Sequence, residues 1–123
     1  MLQFTPIAAL AGLAVAAASA TRVSAAPRAE SALECGIAAD MAIVAHSLAR
    51  EQIQRAKADT IMARIYDVSQ SDRGKVLMKD ILDAAYVTSG PATKATGQEF
   101  AEDLFSACMK TGGNMDQVLG KKL

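Results

Sequence analysis

The sequence predicts an all-α protein, a small bundle of four to five helices closed by one disulfide. Three observations lead to this prediction: apolar residues recur at steps of three and four, strand-like alternation is absent, and the chain contains two cysteines. A length of 123 residues suits a single domain. We therefore expect a signal peptide over residues 1–25 and one helical domain over residues 26–123.

The first residues have the pattern of an export signal. Residues 7–18 read IAALAGLAVAAA, an uncharged apolar run that is shorter than the roughly 20 residues of a membrane-spanning helix. Small-residue cleavage sites end at Ala20 and at Ala25, although no Lys or Arg precedes the apolar run. We expect cleavage after one of these alanines, preferably Ala25, and a protein located in the periplasm or outside the cell. An uncleaved helical anchor is the alternative.

The next segment has helical spacing but an ambiguous middle. Apolar residues recur at steps of four, four, three and four and predict a core face, formed by Leu33, Ile37, Met41, Val44 and Leu48. A parallel row of small side chains would allow another helix to approach, namely Ala38, Ala42, Ala45 and Ala49. The spacing breaks near residues 50–52 and resumes at Ile53, Ile61, Ile65 and Val68. Because the break contains no Gly or Pro, one bent helix over residues 32–68 and two separate helices both remain possible.

The next helix follows a clear connection at residues 67–75, DVSQSDRGK. Either Ser71 or Asp72 can cap it. Its predicted apolar face contains Val76, Leu77, Ile81, Ala84 and Ala85. Residues 88–95, TSGPATKA, form the next break.

The last long helix begins with a capping box, Thr96 with Glu99. Its apolar face is predicted from Phe100, Leu104 and Cys108. Gly112 and Gly113 provide a left-handed C-cap, and Asn114 can cap a short final turn. We expect that turn to close one end of the bundle through Met115, Val118 and Leu119.

The two cysteines are best explained as a disulfide. Lipid attachment is unsuitable because Glu34 precedes Cys35 and the apolar run ends earlier. Two cysteines and one histidine supply too few ligands for a recognisable metal site. His46 lies about 16 Å along the same predicted helix, too far to activate Cys35 as a nucleophile. We therefore predict a Cys35–Cys108 disulfide, with two buried free thiols as the alternative.

Other candidate groups are interpreted as ordinary surface or capping residues. His46 is expected at a solvated position. The acidic cluster Glu99, Glu102 and Asp103 is expected because the helix dipole stabilises negative charge near the start of a helix. Asp80 and Asp83 are spaced for paired acid-base work but are expected on a wet surface. Because no hydrolase, phosphate-loop or zinc motif is present, we predict no catalytic residue, no metal and no cofactor.

Charge excludes one partner class and leaves three functional hypotheses. The chain has thirteen basic and thirteen acidic side chains and no long run of like charge, which disfavours nucleic-acid binding. We expect a protein-interaction module that binds a protein partner or a second copy through an alanine- and methionine-bearing helix face, without a stable membrane anchor after signal cleavage. In outline the exported, all-helical, single-disulfide chain is similar to the small periplasmic acid-stress chaperones, and this resemblance implies the alternative function. A small enzyme is the lesser alternative.

Overall fold

A computed structural model describes residues 28–68, 71–87 and 95–120. These ranges form five helices and no strand: α1 (Ala32–Arg50), α2 (Arg55–Tyr66), α3 (Asp72–Tyr86), α4 (Gly97–Lys110) and α5 (Asp116–Leu119). The predicted all-α bundle and the Cys35–Cys108 disulfide are confirmed. The predicted signal peptide and its cleavage sites lie outside the described residues.

Helix α1 is the central element and runs antiparallel to α4. It packs most extensively against α4, then against α3 and α2. Near the start of α1, Cys35 is bonded to Cys108 near the end of α4, with 5.7 Å between the two Cα atoms. Near the end of α1, the His46 ring lies 6.5 Å from the Phe100 ring, close to the start of α4. The two helices are therefore in contact along most of their length.

The buried face of α1 is its alanine row, so the predicted core face is wrong in its first half. Ala38, Ala42 and Ala45 are completely buried, whereas Leu33 is 73% exposed. Small side chains allow α4 to approach closely, and the Cα separation at the disulfide requires that approach. Ile37 of the same predicted face is also exposed, and exposed residues occur in the other predicted faces at Ile65 and Val76.

Residues 51–54 separate α1 from α2, so the two-helix alternative is correct. Gln52 has a φ of 60°, in the left-handed region where glycine is usual. Its N–H donates to the Ala49 carbonyl at 3.0 Å, and the Ile53 N–H donates to the Leu48 carbonyl at 3.0 Å. These two bonds form a Schellman motif, which ends α1 without the glycine that would have marked the end in the sequence.

The predicted N-caps of α3 and α4 are confirmed. Ser71, rather than Asp72, caps α3, and its Oγ accepts the Gly74 N–H at 2.9 Å. Thr96 and Glu99 form the reciprocal capping box, with N–H to side-chain oxygen distances of 3.0 and 2.9 Å. Each cap satisfies backbone N–H groups that have no partner inside the helix.

The C-terminal end of the bundle also agrees with the sequence. Gly112 has a φ of 66°, and the Gly113 N–H donates to the Cys108 carbonyl at 2.8 Å. Asn114 Oδ1 accepts the Asp116 N–H at 2.8 Å and so supports the start of α5. Met115 is completely buried, and the partly buried Val118 and Leu119 pack against the core.

Helix α1 is also the one described helix that is long and apolar enough to cross a membrane. It has 19 residues, and its most apolar window has a hydropathy of 1.4. Its alanine row is covered by other helices, and its first turn is joined to α4 by the disulfide. Core packing therefore accounts for the alanines of α1, whereas the larger apolar residues Leu33, Ile37 and Ile43 are exposed.

Candidate functional site

His46 is a buried residue, which corrects the predicted solvated position. Its side chain is 5% exposed, and Nε2 donates to the Ala95 carbonyl at 2.8 Å. Gly97 lies directly against the ring, since a Cβ there would be 3.5 Å from His46 Nδ1. The residue is buried because α4 begins beside this turn of α1. His46 therefore attaches the segment before α4 to α1 rather than serving as an exposed acid or base.

Asp80 and Asp83 do not form an acid-base pair, and Asp80 is not on the surface as predicted. The Asp80 side chain is 3% exposed and accepts Arg28 Nε at 3.0 Å. Arg28 also contacts the Asp116 carboxylate and the Gly120 carbonyl, so it joins the residues before α1 to α3 and to both ends of α5. The burial of Asp80 follows from this long-range partner, which helical spacing within α3 does not reveal.

Asp83 belongs to a different ion-pair cluster. It accepts Arg55 Nη1 at 2.5 Å and Lys79 Nζ at 3.2 Å. Burial would raise the pKa of Asp83, but these hydrogen bonds outweigh that effect and lower its pKa. Both predicted acid-base candidates thus have structural partners, and those partners are different arginines.

The predicted acidic cluster on α4 is divided among separate roles. Glu99 belongs to the capping box, and Glu102 accepts Gln98 Nε2 at 2.8 Å. In the part of the chain that the structure describes, no group of three His, Cys, Asp or Glu residues could hold a metal ion.

A cavity of about 580 Å³ lies where α1 ends and α2 begins. His46, Arg50, Arg55 and Tyr86 contribute its larger polar side chains. Arg55 is held by Asp83 and lies over the Tyr86 ring, and the Tyr86 hydroxyl donates to the Ile53 carbonyl at 2.7 Å. Its described lining contains no carboxylate, thiol or aliphatic hydroxyl.

A second concave surface, of about 410 Å³, lies between α1 and α4. We call it the α1–α4 groove: it is lined by small residues (Gly36, Ala39, Ala101), two large apolar residues (Ile43, Phe105) and polar residues (Asp40, Gln98, Glu102). Ile43 and Phe105 are each 41% exposed. Gly36 leaves open space at its surface, since a Cβ there would meet nothing within 4 Å. The groove is thus an accessible apolar surface with a polar border.

Sequence reasoning missed this groove because the rows it followed on α1 and α4 do not include the residues that line it. On α1, Gly36, Ala39 and Ile43 form a second row at steps of three and four. On α4, Ala101 and Phe105 are four residues apart, and the exposed Met109 extends their row by one turn. The alanine- and methionine-bearing face proposed for partner binding is mostly core, since Met41 and Met62 are completely buried.

The border of the groove is acidic. Asp40 accepts the Tyr66 hydroxyl at 2.5 Å, and Glu102 accepts the Gln98 amide, so both hydrogen-bond donors are uncharged. Burial, together with the hydrogen bond to Asp40, raises the pKa of Tyr66, which therefore remains a neutral donor. Within the described ranges, neither Asp40 nor Glu102 forms an ion pair.

Comparison of the chain with protein-family models, with curated proteins and with solved structures found no match in any of the three.

Proposed function

We propose that the chain is an exported protein-interaction module that binds a helix of a partner protein in the α1–α4 groove. The observation that carries this proposal is the exposure of Ile43 and Phe105 in a concave surface that small residues also line. Large apolar side chains that border a concave surface are typical of sites where an amphipathic helix binds. Binding would remove the remaining surface of both side chains from water, which is favourable by about 25 cal/mol per Å².

The shape of the groove supports a helix as the bound element. The antiparallel helices α1 and α4 each contribute one large apolar side chain to the groove, Ile43 and Phe105, together with small residues. A third helix packs into such a depression by placing its own ridge of side chains in the groove. Gly36 leaves space near one end of the groove for a large side chain from the partner.

Export is supported by two features from different parts of the chain. Residues 7–18 and the small residues after them match a cleaved signal, and the Cys35–Cys108 disulfide is typical of an oxidising compartment. We assign no catalytic function, because the conspicuous charged groups on α3 are engaged in ion pairs.

Site-specific photocrosslinking in the organism that makes the protein tests the proposal. A photoreactive amino acid at position 105 should crosslink to a discrete second protein. The matched position is Ile65, which is exposed on α2 and lies outside the groove, and it should not give that product. The same product from both positions, or no product from position 105, would contradict binding in the groove.

An acid-stress chaperone is a second candidate function. Its supporting observation is that three arginine–carboxylate ion pairs join separate elements of the described chain: Arg28–Asp80, Arg55–Asp83 and Arg73–Glu34. Protonation of these carboxylates in strong acid would loosen the bundle and expose its apolar core. The test is suppression of aggregation of an acid-denatured client near pH 3, monitored by light scattering. A chain that keeps its native near-ultraviolet circular dichroism there and suppresses no aggregation is not such a chaperone.

A further inference from the structure

We infer that the helix bound in the α1–α4 groove is basic as well as apolar, an inference that rests on the proposed function. The groove contains two carboxylates, Asp40 from α1 and Glu102 from α4, and its described lining has no Lys, Arg or His. The partner chemistry that fits is an amphipathic helix with an apolar row flanked by Lys or Arg on both sides.

The charges of the two carboxylates are available to a partner. The Tyr66 hydroxyl and the Gln98 amide each stabilise one carboxylate without neutralising it. Elsewhere in the described bundle, Asp80, Asp83 and Glu34 have arginine partners. The groove therefore differs from these other described carboxylate sites, because no Lys, Arg or His is among its described lining residues.

The same charges disfavour a second copy of this chain as the occupant. In a symmetric dimer through this groove, each copy would bring its own Asp40 and Glu102 to the interface, so like charges would face each other. A basic helix gains attraction at both sides of the groove while its apolar row contacts Ile43 and Phe105.

Three labelled helical peptides test the inference with the full disulfide-bonded protein. They share one leucine row and one length, and they carry flanking Lys, Gln or Glu residues. Fluorescence anisotropy at low salt should show the Lys peptide binding about tenfold more tightly than the Gln peptide, with the Glu peptide weakest. Added salt should reduce this preference because rim charges are screened.

Two sets of variants separate the role of charge from the role of shape. The double variant Asp40→Asn with Glu102→Gln keeps oxygen acceptors for Tyr66 and Gln98, and it should abolish the preference for Lys. Phe105→Ala should reduce the affinity for all three peptides at least tenfold, whereas Ile65→Ala, outside the groove, should leave their affinities unchanged.

Each alternative result has a distinct meaning. Equal affinity for all three peptides, still dependent on Phe105, would overturn the basic-partner inference and leave the helix-binding groove intact. Absence of any Phe105-dependent binding would overturn both. A wild-type dimer in analytical ultracentrifugation that Phe105→Ala converts to a monomer would identify a second copy as the occupant and also overturn the inference.

Discussion

At several positions in this bundle, the backbone conformation or the burial of a residue is not the one that its residue type predicts. Gln52 and Asp67 both have positive φ values at the ends of helices, where glycine has no steric penalty. Phe100 and Phe105 lie on the same helix, yet Phe100 is completely buried and Phe105 is exposed beside the groove. These positions permit two tests, each of which compares a pair of substitutions.

Replacing Gln52 with glycine should stabilise the protein. The residue occupies the left-handed position of the Schellman motif, where a side chain costs about 1 kcal/mol relative to glycine. We expect the free energy of unfolding, measured with urea, to rise by about 0.5–1 kcal/mol. Gly112→Ala is the matched opposite: its added Cβ meets no atom within 4 Å, so its expected loss of stability is conformational. A destabilised Gln52→Gly variant would contradict the assigned backbone conformation.

The two phenylalanines of α4 should respond differently to truncation. Phe100→Ala removes a fully buried ring and should cost about 3–5 kcal/mol of unfolding free energy. Phe105→Ala removes a ring that is 41% exposed, so it should cost less, about 1–2 kcal/mol. Urea denaturation followed by circular dichroism gives both values. Similar losses at both positions would mean that α4 is rotated from the register described.

At the scale of elements, α1 and α4 form the pair on which the fold depends. The alanine row brings the two backbones close together, and the disulfide joins the start of α1 to the end of α4. The capping box defines the other end of α4, next to the buried His46. Because one face of this pair is core and another face is the groove, changes that separate the helices should affect both stability and binding.

Removal of the disulfide should destabilise the whole bundle. In the chain-entropy model, a loop of this length contributes about 4 kcal/mol, and measured losses range from about 0 to 5 kcal/mol. The double variant Cys35→Ala with Cys108→Ala places small apolar side chains at two buried positions, whereas serine would bury hydroxyl groups there. We expect its urea midpoint to fall close to that of the reduced wild type. An unchanged midpoint would show that packing of α1 against α4 is sufficient without the bond.

At the scale of the whole molecule, ion pairs connect elements that are distant in the chain. Arg73 of α3 bonds Glu34 of α1 at 2.6 Å, and Arg55 of α2 bonds Asp83 of α3 at 2.5 Å. The hydrogen bond from Arg73 is the main reason that the pKa of Glu34 is lowered. The charged forms of these carboxylates therefore favour the folded state.

Stability should decrease as the pH falls. Because the pKa values of Glu34 and Asp83 are lower in the folded chain than in the unfolded chain, their contribution is complete above the unfolded values of about 4. It is then lost as the pH falls through the lower folded values. We expect the urea midpoint to be constant near pH 6 and to fall below about pH 4.5. The double variant Glu34→Gln with Asp83→Asn should show a shallower decrease, and an identical pH dependence would contradict this assignment.

Much of the fold is predictable from short stretches of sequence. Helical spacing, the Ser71 cap, the Thr96 capping box and the glycines after α4 all depend on residues within a few positions of one another. The disulfide is predictable because the chain has the pattern of an export signal and its two cysteines allow only one intramolecular pairing. These features depend on local backbone chemistry or on simple pairing, so they do not require knowledge of how the helices pack.

The candidate site required the packed molecule. Leu33 and Ala38 both fit an apolar helix face, but the close approach of α4 selected the alanine row and left Leu33 in solvent. The burial of Asp80 likewise depends on Arg28, a residue 52 positions away. The α1–α4 groove exists because two helices that are distant in the chain contribute Ile43, Phe105 and small residues to one surface. Burial and concavity are properties of pairs of elements, and periodicity within one element leaves several of its faces equally suitable for packing.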